Sequence, residues 1–258
     1  MSSVYGNWTA IKYEKLPAHD PLVMLVNSPD RQVVWEKLPD DFRLPDDPVD
    51  NVNQPALAAA LTEGLQLANR LTDRALTPTN YGICATVNGK IVVKAPDWAY
   101  IPTISVPRPE IERSYTPRLQ GEIPALVLEF LSDTDGGEYS IKETYPPGKF
   151  FYYEQILHVP NYGIFEPAAG ILEFYRLTNE KQYELKSGTE QNRFWIPEMQ
   201  LYLGVWQGSR ENRDGYWLRW WDESGNLLLW GTEQVEQERQ RVERLTAQLR
   251  AAGIEPDL

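Results

Sequence analysis

Apolar and polar positions repeat along this chain with two periods, and the points of changeover divide it into elements. Leu57, Leu61, Leu65, Ala68 and Leu71 recur at helical spacing behind Pro55. Proline suits a first helical turn, so the stripe predicts a helix over 55–73 with Glu63 on the solvent side. Two short apolar runs, 81–87 and 90–94, flank Asn88-Gly89. Both of those residues tolerate positive φ, which predicts a tight hairpin. Pro124-Ala-Leu-Val-Leu-Glu-Phe-Leu-Ser132 is almost continuously apolar and reads as a strand buried on both faces.

Beyond it, residues 149–157 predict a short helix starting beside Pro146-Pro147. Residues 161–166 and 170–177 predict antiparallel strands around Pro167, with 183–186 extending the meander. Residues 196–206 return to the core, and 216–221 and 227–230 flank a turn at 223–226. From Thr232 the pattern is a long charged helix. Its apolar stripe is thin (Val235, Val242, Leu245, Leu249), and Gly253 and Pro256 close it. Such a stripe suits packing on the body or a coiled-coil contact with a second copy.

Residues 1–54 show neither period and are rich in Pro and Asp. Short strands near 23–26 and 33–35 are expected, with Trp8, Trp35 and Phe42 anchoring the segment as a wrap around the core. The expected organisation is this irregular wrap (1–54), a core with a β-rich extension (55–231) and the last helix (232–258). The loop 107–123 carries Arg108, Arg113 and Arg118, either as a solvated loop or as a phosphate-contacting one.

Composition narrows the function classes. A net charge of -12 argues against a general nucleic-acid coat protein, whose binding is dominated by cations meeting phosphate. The single cysteine, Cys84, allows no intrachain disulfide. Together with an opening stretch lacking a basic and apolar leader pattern, this leads to the expectation of a cytoplasmic protein. Only His19 and His158 are present, which rules out a His-rich metal site and gives a Ser-His-Asp triad little support. Nine Trp, mostly in the second half, are read first as core and second as platforms for a flat ligand.

The chemistry centres on Glu129. A carboxylate inside a doubly buried strand needs a compensating cation, metal or water. It is either a structural ion pair or a metal-binding catalytic group. Asp97, at the end of the hairpin's second strand, is a turn residue or a second acid. Lys149 stands in a helical first turn, where cations are disfavoured. Two carboxylates hold one Mg²⁺ while leaving positions for water and phosphate, and a lysine orients the water or stabilises developing charge.

Pro96-Asp97, Pro124–Ser132, Lys149-Phe-Phe-Tyr-Tyr153 and Val159–Pro167 together resemble the Uma-two family of the PD-(D/E)XK, restriction-endonuclease-like superfamily. The similarity covers most of 55–177 and the last helix. It implies an α/β (α+β) restriction-endonuclease-like core, a central mixed sheet flanked by helices. It further implies Mg²⁺ (or Mn²⁺) as cofactor, DNA as substrate, Asp97 and Glu129 as metal ligands, and Lys149 as the active-site lysine. The superfamily's usual lysine position, two residues after the second acid, is Leu131 here; Lys142 is the rival of Lys149. A homodimer and the absence of a membrane span complete the expectation. The alternative is a catalytically inactive nuclease-like protein serving binding or assembly. A carbohydrate-active carboxylate pair explains the tryptophans but leaves Lys149 idle.

Overall fold

The apolar run around Glu129 forms β6 (Leu126–Phe130), and all five of its residues are buried. Burial on both faces is why the run reads as continuous rather than alternating. The structure is a computed structural model that describes residues 26–28, 31–37, 39, 53–131 and 137–253. Val23–Leu25, Trp8, Phe42, the turn after Leu131 and the residues beyond Gly253 lie outside those described, so the expectations placed on them do too.

β6 lies second in a five-stranded sheet. Its order is β5 (Trp98–Tyr100), β6, β7 (Asn161–Glu166), β8 (Ile171–Leu177), β9 (Tyr183–Leu185). β6 and β7 are parallel; the other neighbours are antiparallel. A parallel step requires a long crossover. That crossover carries Lys149.

A second sheet joins β1 (Val26–Ser28), β2 (Arg31–Val34), β3 (Ile83–Val87) and β4 (Lys90–Lys94) in antiparallel order. The β3–β4 hairpin turns at Asn88 (φ 50°) and Gly89 (φ 73°), both in the left-handed region, as a two-residue primed turn needs. The third sheet is β10 (Arg193–Ile196), β11 (Leu201–Arg210) and β12 (Arg213–Trp221).

Two cores sit on the two faces of β6. Leu126, Leu128 and Phe130 pack with helix α1 (Gln54–Leu67) and the third sheet, through Leu61, Trp98, Trp217 and Trp220. Val127, one residue out of phase, packs with Ile83, Tyr152, Tyr153 and Tyr162. Glu129 shares the parity of Val127 and faces this second, tyrosine-rich core.

Several expectations need correction. α1 ends at Leu67, not at residue 73. Asn69 takes φ 55°; its N–H donates to Gln66 O (3.0 Å) and that of Arg70 to Leu65 O (2.8 Å). This is a Schellman closure with Asn in the place usually taken by Gly. Leu71 still packs on the core, but from outside the helix. Residues 196–206 do return to the core, with Ile196, Leu201 and Leu203 buried; Ile196 and Leu201 close one hairpin, and a second turns at Glu211 (φ 51°) and Asn212 (φ 59°). Residues 227–230 contribute a single bridge, Leu227 to Trp221. The arginines of the 107–123 loop tie it to the body. Arg108 donates to Ala75 O (3.0 Å), Arg113 to Pro39 O, and the Arg118 guanidinium lies 5.7 Å from the Trp35 ring.

Glu63, expected in solvent, anchors the last helix. α3 (Gly231–Ala251) begins with Glu63 accepting from Gly231 N–H (2.8 Å) and Glu233 accepting from Trp230 N–H (2.8 Å). Arg219, 1% exposed, donates both terminal nitrogens to Glu233 and lies 3.4 Å from the Trp230 ring centre. Beyond this root α3 buries no side chain, and Val235, Val242, Leu245 and Leu249 are exposed. Among the described residues no helix is long and apolar enough to cross a membrane.

Candidate active site

The β5–β6 register pairs Trp98 with Leu128. One residue before the start of β5, Asp97 lies at the level of the β6 end, where Phe130 N–H donates to its carboxylate and its charge acts on Glu129. Asp97 is buried and Glu129 is completely so, at 0% exposure.

Helix α2 (Lys149–Phe151) follows Gly148 and widens into a π-helix over Tyr152–Leu157. Lys149 and Tyr153 are four residues apart, so both project from one face. Lys149 Nζ donates to Glu129 Oε2 (3.0 Å) and Tyr153 Oη donates to Glu129 Oε1 (3.0 Å). Each oxygen of Glu129 therefore receives a hydrogen bond, the one from the lysine ammonium being charge-assisted. Lys149 also faces Glu138, whose Oε1 is 3.8 Å from Nζ. Its side chain keeps 26% exposure, whereas that of Glu129 keeps none. Lys142 is exposed, and its carbonyl accepts from Gly148 N–H. The structure thus brings Lys149, not Lys142, to Glu129.

Burial pushes the Glu129 carboxyl up to about 8; the Lys149 ammonium opposes that rise and the Asp97 charge adds to it. Burial works to lower the Lys149 pKa, but Glu129, Asp97 and Glu138 together raise it above the ordinary lysine value. The direction for the pair is a fixed ammonium beside a carboxyl held between its two protonation states near neutral pH. Tyr153 is raised well above the tyrosine range, by burial first and by Glu129 second, so it remains a donor. Cys84 lies elsewhere, buried, with burial pushing its thiol up to about 11.

The Uma2 (Uma-two) family, described as "Putative restriction endonuclease", matches residues 56–210. The chain belongs to the Uma2 family. Its mixed sheet flanked by helices is a restriction-endonuclease-like fold, and Uma2 membership supports a nuclease-like role. No curated protein matches the chain. The matched span runs from α1 to β11 and contains Asp97, Glu129, Glu138 and Lys149; α3 lies outside it.

The donor set of this Uma2 site fits a Mg²⁺-type ion. It is all oxygen, from two buried carboxylates whose charges interact, Asp97 and Glu129. Among the described residues no group of three or more His, Cys, Asp or Glu is arranged to hold an ion. Mg²⁺ tolerates that, since it is commonly held by one or two carboxylates with waters and phosphate oxygens in the remaining positions.

Three residues near the site carry no role in the sequence reading. Tyr153 stands four residues after Lys149, and that spacing was a usable signal. Gln54, at the start of α1, donates Nε2 to Phe130 O (2.7 Å) and holds the end of β6. Glu138 comes from the stretch between β6 and α2, where no pattern marks it out.

Proposed function

We propose that this Uma2 protein is a Mg²⁺- or Mn²⁺-dependent endonuclease that hydrolyses phosphodiester bonds in DNA. The observation that carries the reading is the fully buried Glu129 bonded to Lys149, with Asp97 buried close enough for its charge to act on Glu129. Asp97 and Glu129 are the groups that hold the ion. When bound, the ion neutralises charge on the phosphodiester and lowers the pKa of a water. Tyr153 fixes the orientation of Glu129. Lys149 supplies a permanent positive charge that orients a water by hydrogen bonding and stabilises negative charge developing on phosphate oxygens. Phe130 N–H and Gln54 keep the strand end, and with it both acids, in register.

The test is nicking of supercoiled plasmid DNA with Mg²⁺ and with Mn²⁺. Wild-type protein cleaves. Asp97→Asn, Glu129→Gln and Lys149→Met each lower the rate by about 10²-fold or more, the scale for removing one preorganised charge stabiliser. Variants that cleave as fast as wild type would remove these residues from the mechanism.

The second reading is a nuclease-like scaffold used for binding or assembly, and the exposed stripe of α3 favours it. That stripe also supports pairing of two copies. Residues 231–238 contain Glu233, Glu236 and Glu238 and no cation, whereas 239–251 contain Arg239, Arg241, Arg244 and Arg250 against Glu243. An antiparallel pair sets acidic half against basic half around a shared apolar seam. A folded protein that self-associates but leaves the plasmid intact with both ions would establish the second reading over the first.

A further inference from the structure

Glu138 sits on a short 3₁₀ turn (Gly137–Tyr139) that is fastened beside the lysine helix. Tyr162 Oη donates to its carbonyl (2.9 Å), and Ser140 lies so close to Gly148 that a Cβ there would stand 2.1 Å from Ser140 O. The Glu138 residue is 6% exposed, and its Oε2 lacks a partner among the described residues. A buried, half-satisfied carboxylate is costly unless some state of the protein uses it.

Lys149 supplies the use. Its ammonium stands between two acids, 3.0 Å from Glu129 and 3.8 Å from Glu138. A divalent cation held by Glu129 repels that ammonium at close range in a water-poor site. A shift of about 1 Å brings Nζ within hydrogen-bond distance of Glu138. The ionised site of three carboxylates and one ammonium carries two net negative charges, which one divalent ion neutralises.

We propose that Glu138 is a positioning residue: it receives Lys149 when a divalent cation takes Glu129, holding the ammonium next to the ion rather than letting it compete for the ligand. This rests on the metal-dependent reading above. Glu138 acts through Lys149 and is not itself a ligand.

The test is Mn²⁺ binding by calorimetry to wild type, Glu138→Gln, Lys149→Met and the double variant, with a crystal structure of the wild type soaked in Mg²⁺. Glu138→Gln weakens Mn²⁺ about 10-fold, as outer-shell changes do. The same substitution has no effect in the Lys149→Met background. In the Mg²⁺-bound crystal, Nζ lies nearer Glu138 than Glu129; this readout needs no variant to fold. An equal loss in both backgrounds, or Lys149 still on Glu129 beside a bound ion, overturns the role of Glu138 and leaves the metal site standing. Absence of any ion at Asp97 and Glu129 overturns both.

Discussion

Lys149 Nζ and Glu129 Oε2 are 3.0 Å apart across 20 residues of sequence, one on a helix start and one inside a central strand. The pair makes Glu129 a member of an ion pair without removing it from the candidate metal site. A fully buried carboxylate must be compensated, and the compensating group is the lysine to which the proposed mechanism gives a role. A pair kept only for stability would be replaceable by apolar residues of similar volume.

Glu129→Gln separates fold from function. Burial already raises the Glu129 carboxyl to about 8, so the neutral amide resembles the form that burial favours. The variant is expected to keep its melting temperature within a few degrees of wild type at pH 7 while losing Mn²⁺ binding. Differential scanning calorimetry and ion titration check the two halves.

Stability responds to pH through the same group. The folded protein keeps the Glu129 proton up to about 8, whereas the unfolded chain releases it near 4.5. Between those values the folded state binds more protons, so this contribution is full below about 4.5 and is lost as pH rises through about 8. The slope is at most about 1.4 kcal/mol per pH unit. Urea midpoints at pH 5, 7 and 8.5 should show a steeper fall in wild type than in Glu129→Gln. Ion binding below pH 8 should release protons, measurable in buffers of different ionisation heat.

Gly148→Ala is expected to loosen the turn that carries Glu138. The added methyl would lie 2.1 Å from Ser140 O, which is backbone and cannot rotate away. Overpacking of this kind costs about 1–3 kcal/mol. A lowered urea midpoint with an unchanged slope is the expected result.

Glu233→Ala strands Arg219, whose side chain is 1% exposed. Its partner is 30% exposed and Arg219 keeps the Leu228 carbonyl as an acceptor, so losing the charged hydrogen bonds costs about 1.5–3 kcal/mol. The helix also loses the carboxylate that accepts from Trp230 N–H. Chemical unfolding measures the loss, and Arg219→Met in the same background should recover part of it.

Leu245→Glu should split the proposed pair of copies. Leu245 is 49% exposed, so the protomer fold is unaffected. Light scattering is expected to give twice 29.7 kDa for wild type and 29.7 kDa for the variant. Wild type eluting as a monomer at high concentration would remove α3 as a pairing surface.

What the sequence discloses here is what local chemistry dictates. Asn88-Gly89 announces its hairpin because two adjacent residues suffice for the turn. The run around Glu129 announces a buried strand, and an acid within it demands a partner. Lys149 is readable because a cation opens its helix. The early stop of α1 depends on Asn69 adopting a conformation that its composition allows but does not require. The Glu211-Asn212 turn has no glycine to mark it. Glu63 looks solvated along its own helix because its partner, Gly231, is 168 residues away. Glu138 gains meaning only when the crossover folds back onto α2.

The attachment of α3 has a mechanical consequence. It is built in at one end, by Glu63, Arg219 and Glu233, and carries no buried side chain along its 21 residues, a rise of about 31 Å. That is the geometry of a cantilever. A force or cargo applied near Ala251 acts on the root with the whole length of the helix as its lever arm. The pair of buried Arg219 and half-buried Glu233 is the joint that bears the torque.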